Sequence, residues 1–417
     1  MKLIRKGPSF RKNPAGHLGA AVRLFFFSAF VLLGLKDYQW QGFALALGIP
    51  LLIRVTTSLV PRLFPADPVL MSLAGFLSGL GVLVLYDTNK TLAYYQLMYY
   101  GVGIVCMILC IYLVRAIKSW RFPATLLIPV SLVFLALPLL LGTEINGARN
   151  WIQLGGISLQ PSEFVKLSLL VVVAYFMSRR RLLPWLGCAV GCLGLLMLQR
   201  DLGTALMYYG MVLLLYFASS GNLLMTLGGV AGGCGAAVLG YNLFAHVKRR
   251  VAVWRNPWAD YENAGYQIVQ GLIAIASGGA WGCGLGLGSP TTIPVYHTDY
   301  IFAVICEQFG VIFGLCVLGV YVALIWRGAS AAMSARHSFH GLLAMGCTLL
   351  IGLQTFTIIG GVLKLIPLTG VTLPFVSYGG SSMISSMCLL GLLQGVISLN
   401  EDDLQQDTHL TMLGAGR

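Results

Sequence analysis

Apolar residues run along this chain in blocks of about 17 to 27 residues, separated by short polar breaks. A helix of about 20 apolar residues crosses the hydrocarbon of a bilayer. The blocks therefore predict about twelve transmembrane helices, at 19–35, 40–61, 68–86, 95–116, 123–141, 162–178, 183–199, 203–219, 222–244, 300–326, 341–363 and 378–399. Several are rich in glycine, as in GGVAGGCGAAVLG. Small residues let helix backbones approach closely, so these blocks belong inside a bundle. The expected fold is an all-α, multi-pass membrane protein.

Two stretches break the rhythm. GTEINGARNWIQLGGISLQPSEFVKLS, at 142–168, is too polar to span, yet holds Trp151, Ile152, Leu154, Ile157 and Leu159. It is expected to lie along the membrane interface before the next helix. The other is the longest loop, 245–299. Inside it, YQIVQGLIAIASGG carries Ile268, Leu272 and Ile275 at helical spacing. That segment is too short to span and is expected at the outer membrane surface. Long loops with structure of their own are usually functional.

Composition narrows the class. Hydrophobic residues make up 57% of the 417 and charged residues only 10%, against about a quarter charged in soluble domains. Mean hydropathy is +0.82. So few charges cannot cover so much apolar mass in water, which excludes a soluble enzyme, a disordered chain and a coiled coil. Most of the ten cysteines lie inside apolar blocks, with no CxxC pair, and read as small packing residues.

The net charge of +13 would suggest nucleic acid in a soluble protein. Here the basic residues alternate between loops instead. Five lie in the first twelve residues, and Arg62, Arg115, Lys118, Arg121, Arg179, Arg180, Arg181, Arg327 and Arg336 share that side. Retention of Lys and Arg in the cytoplasm then places both termini inside and the 245–299 loop outside. Lys248, Arg249 and Arg250 break the pattern, in that long loop. The basic N-terminus and first apolar block resemble a signal peptide without a cleavage site, so the block reads as a retained helix. The end, EDDLQQDTHLTMLGAGR, reads as a polar tail with no fold of its own.

Ionisable groups at membrane depth are costly and so mark candidate sites. Glu163 and Lys166 stand three apart at a helix start, on one face. They read either as a cavity-lining ion pair or as a first-turn acid with Ser162 as the cap. Asp260 lies in the turn-rich NPWADYENAGYQ, where an aspartate often bonds its own turn. His297, Asp299 and Glu307 belong to YHTDYIFAVICEQFG. Asp299 is placed to cap the next helix, Glu307 to face a partner or cavity. His297 lacks the spacing of a zinc site and suits hydrogen bonding. In PLTGVTLPFVSYGGSS, backbone near Gly379, Gly380 and Ser381 opens a helix and can hold an anion. No nucleotide-binding P-loop is present.

These segments resemble, in order, the SEDS family of bacterial envelope proteins, which includes RodA, FtsW and SpoVE. The likeness runs over about 68–400 and rests on GARNWIQLGGISLQPSEFVK, QRDLGTA, NPWADYENAGYQIVQGLIAIASGG, GLGLGSPTTIPVYHTDYIFAVICEQFG and PLTGVTLPFVSYGGSS. It divides the chain into two extra N-terminal helices (1–66), a ten-helix core (67–400) and a cytoplasmic tail (401–417). The resemblance implies a peptidoglycan glycosyltransferase that polymerises lipid II at the outer face of the cytoplasmic membrane, with a class B penicillin-binding protein as partner. It assigns the catalytic aspartate to Asp260 and the cavity pair to Glu163 and Lys166. Two positions depart from the family pattern: Arg200 stands where proline is usual, and Ile358 where asparagine is common.

Joining two lipid II units needs a base for the acceptor hydroxyl and positive charge for the departing pyrophosphate. Asp260, with a raised pKa, would supply the first. Arg149, Lys166, Lys364 or a divalent cation, Mg or Mn, would supply the second, with His297 and the Gly379–Ser381 backbone as further substrate contacts. The competing reading is a lipid II flippase, which predicts polar residues reaching the inner half of the bundle.

Overall fold

The computed structural model describes residues 14–145, 148–154 and 157–415. Helices α1 (Pro14–Asp37) and α2 (Trp40–Leu63) form a hairpin ahead of α3 (Pro68–Thr88), α4 (Lys90–Ala116) and α5 (Arg121–Leu141). After a short β segment come α6 (Pro161–Ser178), α7 (Leu182–Leu198), α8 (Leu202–Ser220) and α9 (Leu223–Leu243). The long loop carries α10 (Ala245–Arg255) and α11 (Tyr266–Gly278), and the chain ends with α12 (Ile301–Met333), α13 (Ser338–Val362) and α14 (Gly380–Ala415).

Among the described residues, eleven helices are long and apolar enough to cross a membrane. The remaining expected span is α7, an apolar helix of 17 residues. The helix starts follow local chemistry. Asp67 caps α3 through Val69 N at 2.9 Å, with Pro68 opening the helix. Asn89, Asp201 and Asn222 cap α4, α8 and α9 in the same way. Helices α3 and α14 form the centre, with 89% of their spanning residues buried, whereas α9 stands at the edge with 11%.

Three features add to the expected helices. The 142–168 stretch, expected near the membrane interface, begins with short strands within an otherwise helical chain. It folds as an antiparallel sheet, β1 (Thr143–Ile145), β2 (Ala148–Leu154) and β3 (Ile157–Leu159), in the order β1-β2-β3. Thr143 faces Trp151 and Ile152 faces Leu159. Asn-Gly and Gly-Gly separate the strand runs in the sequence, and such dipeptides suit two-residue hairpins. The C-terminal stretch also has a fold. It continues α14 as one helix, held by Arg115–Asp402 at 2.8 Å and by an Arg336–Asp407 ion pair. Finally, α12 is longer than its apolar block and is broken at Gly310, whose φ of +86° favours glycine.

The long loop fills that break. Cys283 N and Gly284 N donate to the carbonyls of Glu307 and Gln308, while Val311 N and Ile312 N donate to Gly279 and Ala280. The loop thus replaces the helical bonds that the break removes.

Candidate active site

The site is built from the entrance of α6, the middle of α13 and the start of α14. Lys166 is 3% exposed. Its Nζ donates to Glu163 Oε2 at 2.5 Å and to Gln354 Oε1 at 3.2 Å. Ser385 Oγ donates to the same Glu163 oxygen at 2.6 Å. Gln354 Nε2 donates to Thr372 O at 2.9 Å, and Thr372 Oγ1 lies 2.5 Å from Ser382 Oγ. Gln160 N donates to Ser381 Oγ at 3.2 Å, and Gln160 Nε2 to Asp201 Oδ2 at 3.4 Å. A charged pair in this depth is tolerated because each partner has further hydrogen bonds. Ser162 does not cap α6. Its buried Oγ has no hydrogen-bond partner, and Gln160 holds the cap position without a side-chain bond.

The loop before α14 carries this group outward. Ser377 Oγ donates to Thr298 O at 2.6 Å, and Tyr378 N to His297 O at 2.9 Å. Gly379 N donates to Gln96 Oε1 at 3.3 Å, so that N–H is already used and is not free for an anion. A side chain at Gly380 would press on the Tyr99 ring. His297 is half-buried and packs edge-on to Tyr378, and burial lowers its pKa, which keeps the ring neutral.

Asp299, expected to cap the next helix, does not: α12 begins at Ile301, and Tyr300 holds the cap position without a side-chain bond. Asp299 is half-buried, and burial pushes its carboxyl up to about 6, against the opposing pull of Thr298 and Arg250. Arg250, on α10, donates from Nη1 to Thr369 O at 3.1 Å. Trp254 Nε1 donates to Lys364 O at 3.0 Å, and Lys364 Nζ to Arg255 O at 3.4 Å. The basic cluster that broke the charge pattern therefore lies on the loop that faces Asp299. That misfit of charge was the available signal. Gly203, of QRDLGTA, lets the same loop approach: a Cβ there would sit 2.9 Å from Thr369 O.

Asp260 differs from expectation in its basicity. It closes a one-turn helix at Pro257–Asp260, accepting from Asn263 Nδ2 at 3.0 Å and from Ala264 N at 3.2 Å. It is exposed, and those two bonds hold its carboxyl below the usual carboxylate range, not above it. Arg149 stands on β2, exposed, 3.8 Å from Glu144. The structure thus joins Glu163, Lys166 and Ser381 in one group, sets His297 against Tyr378, brings Arg250 to the loop beside Asp299 and ties Lys364 to the end of α10. Arg149 and Asp260 stand apart from these. Among the described residues no three His, Cys, Asp or Glu side chains gather as a metal site. A cation would depend on the substrate's own phosphates for most of its ligands.

Residues 68–401 match the cell cycle protein family of FtsW, RodA and SpoVE. The chain belongs to this family. Among FtsW/RodA/SpoVE relatives it is similar to the peptidoglycan glycosyltransferase RodA of Mycobacterium tuberculosis, 33% identical over 360 residues, 78% of this chain and 77% of that one. Stage V sporulation protein E of Bacillus subtilis is 32% identical, over 79% of this chain and 96% of that one. Two solved members share the fold. A chain from a peptidoglycan synthase complex that coordinates polymerization and crosslinking is 30% identical, with a TM-score of 0.66, covering 81% of this chain and 98% of that one. RodA of Thermus thermophilus is 29% identical, with a TM-score of 0.60 and the same coverage. Like them, this FtsW/RodA/SpoVE member is a multi-pass membrane protein.

Proposed function

We propose that this chain is a peptidoglycan glycosyltransferase that polymerises lipid II at the outer face of the bacterial cytoplasmic membrane. The relatives carry that activity in their names, and the site geometry supports a choice of residues for it. The observation that carries the reading is a half-buried carboxyl, raised to about 6, facing a cationic loop at the mouth of a buried polar group. Asp299 takes a proton from the acceptor sugar hydroxyl. The oxygen bonds to the anomeric carbon of the donor as the bond from that carbon to the pyrophosphate oxygen breaks. Arg250 and Lys364 stabilise the departing pyrophosphate, a charge that develops only in the transition state. The Glu163–Lys166 pair shapes the polar end of the substrate cavity, and exposed apolar helix faces receive the polyprenyl tails.

The basic-residue pattern supports both termini in the cytoplasm and the loop bearing α10 and α11 outside. A solved relative belongs to a complex that joins polymerization to crosslinking. That supports a crosslinking transpeptidase of the class B penicillin-binding type as partner. The deciding experiment is purified protein in liposomes with labelled lipid II. Glycan chains that lengthen with time are expected. Transfer of label between leaflets without chains would mean a flippase instead.

A further inference from the structure

The α1–α2 hairpin stands ahead of the family match, which begins at residue 68. Two arginines lie inside its spans. From the close approach of Gly34 and Gly42, Arg23 is eleven residues back along α1 and Arg54 twelve on along α2. They sit at about the same level, roughly 14 Å from the Leu63 end of α2. Basic residues of other spanning helices have acidic partners: Lys166 has Glu163, Arg115 has Asp402 and Arg327 has Asp67. Among the described residues, no carboxylate lies within ion-pair distance of Arg23 or Arg54. A charge at this depth is costly without a partner.

Helix direction separates the two arginines. Side chains lean toward the N-terminus of their helix. On α1 that lean leads to the nearer edge of the hydrocarbon layer, and Arg23 follows it. Its Nη1 lies over Gly19, one turn closer to that edge, where a Cβ would meet it at 3.1 Å. On α2 the same lean carries Arg54 inward, away from the near edge, so its stem does not lead the charge out to water. Arg54 is nevertheless exposed on the outer face of the hairpin. Ser58 and Arg62, four and eight residues on, are exposed on the same face and continue a polar track to the helix end. Leu51 and Leu47, also exposed, extend that face deeper. Two cations, a hydroxyl between them and an apolar ridge beyond match a phospholipid, phosphate above and acyl chains below. A partner helix with a single acid would answer Arg54 alone and leave the track to Arg62 unused.

We propose that Arg54, Ser58 and Arg62 bind the phosphate of an anionic phospholipid, whose acyl chains lie along Leu47 and Leu51. The headgroup is drawn in to Arg54 by a local thinning of the layer. The site lies outside the matched core and does not rest on the glycosyltransferase reading.

The test uses full-length protein in phosphatidylcholine nanodiscs that contain a photoactivatable phosphatidylglycerol or, in a second set, the matching photoactivatable phosphatidylcholine. Labelling of residues 40–63 is read by mass spectrometry. One arginine near the surface is worth about fivefold in affinity for anionic lipid. Phosphatidylglycerol is expected to label this segment about tenfold or more over phosphatidylcholine. Arg54→Leu is expected to cut that labelling about fivefold, and Arg62→Gln by a similar factor. Arg54→Lys keeps most of it, and Arg121→Gln, in another basic loop, leaves it unchanged. Circular dichroism of the same samples reads folding, and should Arg54→Leu not fold, Arg54→Gln takes its place. Excess inorganic phosphate is expected not to displace the lipid; displacement would mean a free-anion site and overturn the proposal. Equal labelling by the two lipids, or full labelling of Arg54→Leu, overturns it as well and leaves an acidic partner helix as the match for Arg54.

Discussion

The turn 257–264 and the segment 295–300 each carry one aspartate of the long loop, and they treat it in opposite ways. Asp260 bonds Asn263 and Ala264 of its own turn and faces water, so its charge is comfortable and its basicity low. Asp299 is half-buried, caps nothing and holds its proton up to about pH 6. A carboxylate already satisfied by its own loop has little left to offer a reaction. One kept from water near neutral pH is poised to take a proton. Acidic residues in similar loops are thus separated by what the fold does with their lone pairs.

The sharpest way to break the comparison is to replace both. Asp299→Asn keeps the shape and removes the base, which typically contributes about 10²–10⁴-fold. Glycan product from labelled lipid II is expected to fall by that factor with folding intact. Near-normal chains would return the role to another group. Next comes the inner pair. Removing one partner of a buried ion pair costs roughly 3–5 kcal/mol. Lys166→Met is expected to lose stability of that order in thermal unfolding, and Lys166→Met with Glu163→Gln to recover much of it without recovering activity. Equal activity of the double variant and the unaltered protein would remove the pair from the site.

A pH profile sharpens the contrast further. A raised carboxyl pKa means the proton is kept until higher pH, so the base is idle below about 6 and available above it. The polymerisation rate is expected to climb about tenfold per unit below pH 6 and level off above it. A limb at pH 4 or lower would point to Asp260 or another ordinary carboxylate. The smallest effect is expected from Asp260→Asn. It loosens one exposed turn, and circular dichroism is expected to show the fold unchanged.

Much of the fold was legible. Blocks of apolar residues marked the spans, because a bilayer imposes one length on every crossing. The Glu163–Lys166 pair was legible for a similar reason: helical spacing alone brings residues three apart together. The sheet at 143–159 was not, since three short strands with mixed residues give a weak signal. The helical end of α14 was hidden because its partners Arg115 and Arg336 lie far away in sequence. The choice between Asp260 and Asp299 could not be read at all from composition. It turns on burial and on Asn263, Ala264 and Arg250, which only the folded chain arranges.

Helix α14 has a mechanical consequence. It runs unbroken for 36 residues, about 54 Å, well beyond the thickness of the hydrocarbon layer. Ser381 and Ser385 ride at one end beside the buried pair, and Asp402 and Asp407 are gripped at the other. A rod without a joint cannot absorb a displacement along its length. Whatever tugs on its far end therefore shifts the serines beside Lys166 as well, and the two ends of the helix share one lever.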